Sequence, residues 1–265
     1  MAELHEFNGL QRRIYAEGEE PINFPRVPWE KAQVIEGLAP LEIHPKFADK
    51  HYFVASDVTE FIPGVTAEMV DWWWGNMEKG YHIWAPGEHF GFAWAVAPCE
   101  VGYEGSVELS YEFDPVHPIR ITRVGMQHYP FTHCEEHCWL SAFTGDPDDG
   151  FLIHMHSTVE GGIYWRTVSV QSEQRLQKMK EQMEEAMKKG LPPRKMPNIA
   201  AHMEYESGRL KDFLPQLYNL WKDHPDPWEN VHFDLTTAQN EDGTWRHVHD
   251  NKPITREEYE KSLQK

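Results

Sequence analysis

FLIHMHSTVEGGIYWRTVSV, residues 151–170, is the stretch whose reading decides the fold class. Phe151–Val159 and Ile163–Val170 are short runs rich in β-branched and aromatic residues, and the EGG cluster between them is a turn signal. Working towards the N-terminus, His89–Ala97, Gly105–Phe113, Ile119–Gln127 and Cys138–Phe143 have the same texture, with turn clusters such as GDPDDG between them. In Gly105–Phe113, Val107, Leu109, Tyr111 and Phe113 share one face, and Glu108, Ser110 and Glu112 share the other. Strands that follow one another without intervening helices predict an antiparallel meander.

Helical spacing flanks this run on both sides. After Pro63-Gly64, Thr66 is a plausible N-cap, and Val70, Trp73, Trp74 and Met77 follow as a tryptophan-rich apolar stripe. Towards the C-terminus, Ser172–Lys189 predicts a charged helix with Leu176, Met179, Met183 and Met187 as a narrow seam. LPPRKMP breaks the chain, and Asn198–Trp221 predicts a second helix. The expected organisation is one domain over residues 1–265. It has an irregular Pro- and charge-rich arm over 1–63, a core over 64–221 and a polar extension over 222–265. A capping box, Thr255 with Glu258, is expected to open a last short helix there.

Bulk properties narrow the function. The chain of 265 residues is 40% hydrophobic and 13% aromatic, which predicts a folded protein with a large core. Forty-three acidic against 25 basic residues give a formal net charge of −18, which argues against nucleic acid and anionic membrane surfaces as partners. No apolar run reaches transmembrane length, and the N-terminal residues lack the apolar core of a signal peptide. Three cysteines do not suggest a disulfide framework, so a cytoplasmic protein is the default expectation.

Chemistry enters at the second helix. Ile199, Met203, Glu206, Leu210, Phe213, Leu214, Leu217 and Trp221 lie at helical spacing, and Glu206 alone among them is polar. A carboxylate on a buried stripe costs several kcal/mol unless it is compensated. An Arg or Lys could do this. So could a divalent metal, which would also explain His202 one turn earlier, because side chains at i and i+4 converge. A satisfied His–Glu pair on a half-exposed helix is the plainer alternative. Other clusters carry less. His133–Cys138 contains H-x-x-E-H but lacks a helical pattern and reads as a loop entering a strand. His154-Met155-His156 reads as strand alternation, with one ring expected in a pocket and the other against packing or solvent. His247 and His249 lie in the polar tail.

The segments MVDWWWGNMEKGYHIWAPGEH (69–89), GSVELSYEFD (105–114), IHMHSTVEGGIYWRTVSV (153–170) and AAHMEYESGRL (201–211) together resemble the zinc-dependent carbon–carbon hydrolases of 2,4-diacetylphloroglucinol hydrolase and phloretin hydrolase type. The resemblance implies an α+β helix-grip fold similar to Bet v 1 and START domains, a curved antiparallel sheet around a long helix with an internal cavity. It implies Zn2+ held by His89, Glu112, His202 and Glu206, with His82 the alternative to His89. Tyr81 matches a tyrosine near the substrate, and His156 matches a pocket histidine, with His154 the alternative. These two are the candidates for moving phenol and enolate protons. The activity implied is hydrolysis of an aryl ketone between its acyl carbon and a phenolic ring. Phe92 stands where the diacetylphloroglucinol enzyme has an asparagine, a departure that bears on substrate identity. The expected partner is a small aromatic ketone, and a homodimer is left open. The rival readings are a polyketide cyclase or lyase, and a non-catalytic polyketide or lipid carrier on the same fold.

Overall fold

The computed structural model describes residues 38–96, 101, 104–114, 118–190, 197–223, 236–239 and 245–248. Among these, β1 (Tyr52–Pro63), β2 (His89–Val96), β3 (Val107–Glu112), β4 (Ile119–Arg123), β5 (His137–Ala142), β6 (Gly150–Val159) and β7 (Gly162–Ser172) form one sheet in the order β1-β7-β6-β5-β4-β3-β2. Every neighbouring pair is antiparallel. The chain folds as α+β, and the expected meander runs from β2 to β7. β1 extends it on the far side of β7.

β1 departs from the sequence reading, which put residues 52–63 in an irregular arm. The strand pairs with β7 over its whole length, from Tyr52 opposite Ser172 to Pro63 opposite Gly162. Its pattern is hard to read because the register shifts between Val54 and Ser56, and because Val54 is exposed whereas Glu60 is buried. Apolar-in, polar-out alternation therefore fails along it.

α1 (Ala67–Gly75) begins as expected, with the Thr66 side chain accepting from the Met69 amide, and buries Val70, Trp73 and Trp74. A short helix, α2 (Tyr81–Trp84), follows and leads into β2. α3 (Glu173–Lys188) is capped by Ser172; none of its residues is buried, and Met183 and Met187 are exposed. α4 (Ile199–Trp221) starts at Asn198, whose side chain accepts from the Ala201 amide. It buries Met203, Glu206, Leu210, Phe213, Leu214, Leu217 and Trp221 of the expected stripe, whereas Ile199 is exposed.

The main core joins α1, α2 and α4 to one face of the sheet through Trp73, Trp84, Trp94, Trp139, Trp165 and Phe213. Trp73 packs edge-on against both Trp84 and Phe213, an arrangement worth ~1 kcal/mol per pair beyond burial. H-x-x-E-H is not helical: residues 132–136 are irregular and His137 opens β5. In the extension, β8 (Thr236–Gln239) and β9 (Trp245–Val248) pair antiparallel, where an irregular tail was expected. The capping box at Thr255 and His249 lie outside the described residues. No helix among the described residues is long and apolar enough to cross a membrane.

Candidate metal centre

Three pieces of chain bring the site together. The turn Ala85-Pro86-Gly87-Glu88 closes when the Glu88 and His89 amides donate to the Ala85 carbonyl. Gly87 takes a φ of +86°, open to glycine without strain. His89 then starts β2 directly opposite Glu112, the last residue of β3. α4 supplies the rest, with His202 and Glu206 one turn apart and 5% exposed each.

His202 Nε2 lies 3.5 Å from Glu206 Oε2 and 3.8 Å from Glu112 Oε2, and His89 Nε2 lies 3.6 Å from Glu206 Oε2. The donor atoms of His89, Glu112 and His202 all lie within 4.8 Å of one another. Two ligands of one tetrahedral zinc ion sit about 3.3–3.6 Å apart, given bond lengths near 2.0–2.2 Å. Direct hydrogen bonds would be shorter. His89 Nε2 is buried without a hydrogen-bond partner.

Orientation of the imidazoles fits the same reading. His89 Nδ1 faces the Tyr81 carbonyl at 3.1 Å, and His202 Nδ1 faces Glu88 Oε2 at 2.7 Å. Each Nδ1–H thus has an acceptor, which leaves both Nε2 atoms aimed at one point, the arrangement of metal-binding histidines. The rings are held in place by aromatic contacts: Tyr81 stacks on His89 at 4.1 Å and Phe113 packs edge-on against His202 at 4.6 Å. The residues present therefore fit a divalent cation.

Electrostatics agree. Burial, aided by neighbouring His202, holds the His89 pKa well below its ordinary value, so the ring is the neutral form a metal needs. Burial would also lower His202, but Glu206, Glu88 and Glu112 overcome it and lift the pKa to about 9. Burial raises Glu206 to about 8, against the opposing pull of His202. Three carboxylates thus surround the His202 ring, two on its Nε2 side and Glu88 at Nδ1, and without a metal the ring itself carries the compensating charge.

The cluster opens on a cavity of about 90 Å3, room for several water molecules, walled by Trp74, Trp84, Trp139, Glu108, His154 and Tyr81 among others. The Tyr81 hydroxyl donates to Glu112 Oε1. Burial and Glu112 together keep that hydroxyl protonated far above its ordinary pKa.

Two expectations about the strand histidines change. The reading that alternation sets His154 and His156 on opposite sides is corrected: residues two apart share a face, and both rings pack on Trp165, at 5.3 and 6.1 Å. Position along the strand separates them instead. His154 lines the cavity and stacks on Trp74 at 5.1 Å. His156 is not among the lining residues, and its Nε2 faces Asp71 at 3.3 Å. His82 is buried on α2 outside the converging donors. Phe92 is buried against Tyr81 and Trp94, both ring distances being 4.9 Å.

Sequence reading missed Glu88 and Glu108. Glu88 is the residue immediately before His89 and was legible only as part of a motif. Glu108 lies on the polar face of β3, and that face points inward: Glu108 and Ser110 are buried, and Arg123 lies 3.3 Å from Glu108. Burial pushes Glu108 up to about 7 in spite of Arg123.

Comparison with known proteins bears on part of this site. Residues 44–109 match the family model described as the DAPG hydrolase PhiG domain. A phloretin hydrolase of Eubacterium ramulus is 28% identical over a stretch that covers 39% of this chain and 42% of that protein. The chain thus matches less than half of the length of this relative. The family-model match contains Tyr81, Glu88 and His89 and ends before Glu112 and α4, whose part in the site rests on geometry. Both matches point to the same group, and the chain is similar to DAPG and phloretin hydrolases over these stretches.

Proposed function

We propose that the chain is a metal-dependent hydrolase that cleaves the carbon–carbon bond between an acyl group and a phenolic ring. The convergence of His89, Glu112 and His202, with Glu206 Oε2 3.5–3.6 Å from both imidazoles and the Nε2 atom of buried His89 left unpaired, carries the reading. Zinc, as the ion of choice for two imidazoles and two carboxylates, would supply Lewis-acid polarisation of the acyl oxygen and a nucleophile from water at neutral pH. The sheet order with β1 beside β7, and α4 against β1 through the Ser56–Met203 contact, supports a helix-grip arrangement around the cavity.

The chain's own residues account for the remaining chemistry. Trp74, Trp84 and Trp139 give a phenolic ring flat apolar walls. Glu108 is placed on the same wall to accept a hydrogen bond from a ring hydroxyl. The substrate ring reacts as its keto tautomer. Water adds to the acyl carbonyl, the bond to the ring breaks, and its electron pair moves into the ring as an enolate. Forming the keto tautomer puts a proton on the ring carbon that bears the acyl group, and the neutral Tyr81 hydroxyl at the cavity wall is positioned to give it; the enolate oxygen left by cleavage then takes up a proton to become the phenol. His154, held neutral by burial, which lowers its pKa to about 3, is placed to donate a hydrogen bond to the enolate oxygen. The Thr167 hydroxyl, which accepts from Trp165, is free to donate to His154 Nδ1 at 2.9 Å, which leaves Nε2 as the N–H. The products are a carboxylic acid and the deacylated phenol.

The test is metal analysis combined with turnover of an acylphloroglucinol. His202→Ala and Glu206→Ala should both lose metal and release no carboxylic acid. A protein that purifies without metal and ignores chelators overturns the metal. Metal-loaded protein that leaves acylphloroglucinols intact overturns the substrate class.

A further inference from the structure

We infer a second divalent-cation site, independent of the first, formed by Asp71 of α1, His137 of β5 and His156 of β6. The two histidines are register partners across the β5–β6 pair. Their rings stack at 4.6 Å and 17°, so both project from one face of the sheet. α1 lies across that face and turns Asp71 away from its own buried Val70, Trp73 and Trp74. His137 Nδ1 reaches Asp71 Oδ2 at 2.9 Å, His156 Nε2 reaches Asp71 Oδ1 at 3.3 Å, and one donor atom from each of the three lies within 4.8 Å of the others.

An ion pair between Asp71 and His137 would explain half of this geometry. It leaves His156 unexplained. That side chain is 1% exposed, and Nε2, although aimed at the carboxylate, makes no hydrogen bond. A buried polar atom left in that state costs about 1–3 kcal/mol. A cation between Nε2 and Asp71 would remove the cost, with His156 as inner ligand and the other two at the rim. Side chains of Asp71 and His137 are 49% and 35% exposed, so water can complete the coordination. Two imidazoles and one carboxylate select zinc or another late first-row divalent ion over magnesium or calcium.

Such an ion would tie α1 to β5 and β6 behind the cavity wall. Trp74 of α1 stacks on Trp139 at 5.0 Å and on His154 at 5.1 Å, so whatever fixes α1 also fixes those faces.

Zinc titration of chelator-stripped protein against a competing chromophoric chelator tests the site, with circular dichroism to verify the fold of each variant. Wild type should take up two equivalents. The weaker one should vanish in Asp71→Asn, a near-isosteric change at a half-exposed position, and in His137→Ala. His202→Ala/Glu206→Ala should keep one equivalent and lose it when His137→Ala is added. A wild type that binds a single equivalent, unchanged in Asp71→Asn and lost in His202→Ala, overturns this site and leaves the proposed function standing. One equivalent that survives in His202→Ala/Glu206→Ala but not with His137→Ala supports this site and counts against the other. Absence of zinc uptake by wild type overturns both.

Discussion

The Tyr81 hydroxyl donates to the Glu112 carboxylate, joining α2 to the last residue of β3 at the point where the cavity meets the cluster of donors. One oxygen of Glu112 is thereby engaged by Tyr81, and the other faces His202 at 3.8 Å. Tyr81 therefore both positions a ligand candidate and presents a proton at the cavity wall.

Tyr81→Phe should keep the metal, because the ring that stacks on His89 is unchanged. It should slow turnover by about 10²-fold, the low end for a lost general acid. Metal content and kcat measured on the same sample decide it, and an unchanged kcat removes the tyrosine from the reaction.

Glu88 holds His202 Nδ1 at 2.7 Å without facing the shared point. Glu88→Ala should weaken metal affinity about 10–100-fold, as for other carboxylates that orient a ligating histidine, while Glu88→Gln, still an acceptor, should lose less. Competition with a chelator measures both. Equal affinity in Glu88→Ala and wild type would show that the contact does not orient the ligand.

His154 and His156 separate by function as they do by place. His154→Gln should lower kcat by about 10²-fold if the ring N–H stabilises the developing enolate by a hydrogen bond. His156→Gln should leave kcat near wild type, since the ring faces Asp71 instead of the cavity. The reverse ranking would restore His156 as the pocket histidine.

Metal-free protein should lose stability as pH rises. The folded-state pKa of His202 stands at about 9 and that of Glu206 at about 8, each raised above its ordinary value. A group raised on folding contributes stability that is present below its ordinary pKa and lost as pH climbs through the folded one. Each unit of difference corresponds to ~1.4 kcal/mol, and the two groups titrate as a pair, so the contributions do not add. Urea unfolding with chelator at roughly pH 6 and pH 9 reads the loss, which Glu206→Gln should shrink. A variant with the same pH dependence as wild type would show that the pair does not carry it.

The sequence determined the α+β class, the run of strands from β2 to β7, the cap of α1 at Thr66, both C-terminal helices, and the carboxylate set in an apolar stripe at Glu206. Each of these is written in local periodicity or a capping residue, so a single chain of side chains carries the signal. What tertiary structure decided lies wherever residues distant in sequence meet. β1 looks irregular until β7 pairs with it, because a register shift between Val54 and Ser56 breaks its alternation and Glu60 takes a buried position. Glu112 and Glu108 read as an ordinary polar strand face, and only the sheet's position against α4 turns that face inward towards His202. His154 and His156 are equivalent in parity, and it is the position of α1 over the sheet that sends one to the cavity and the other to Asp71.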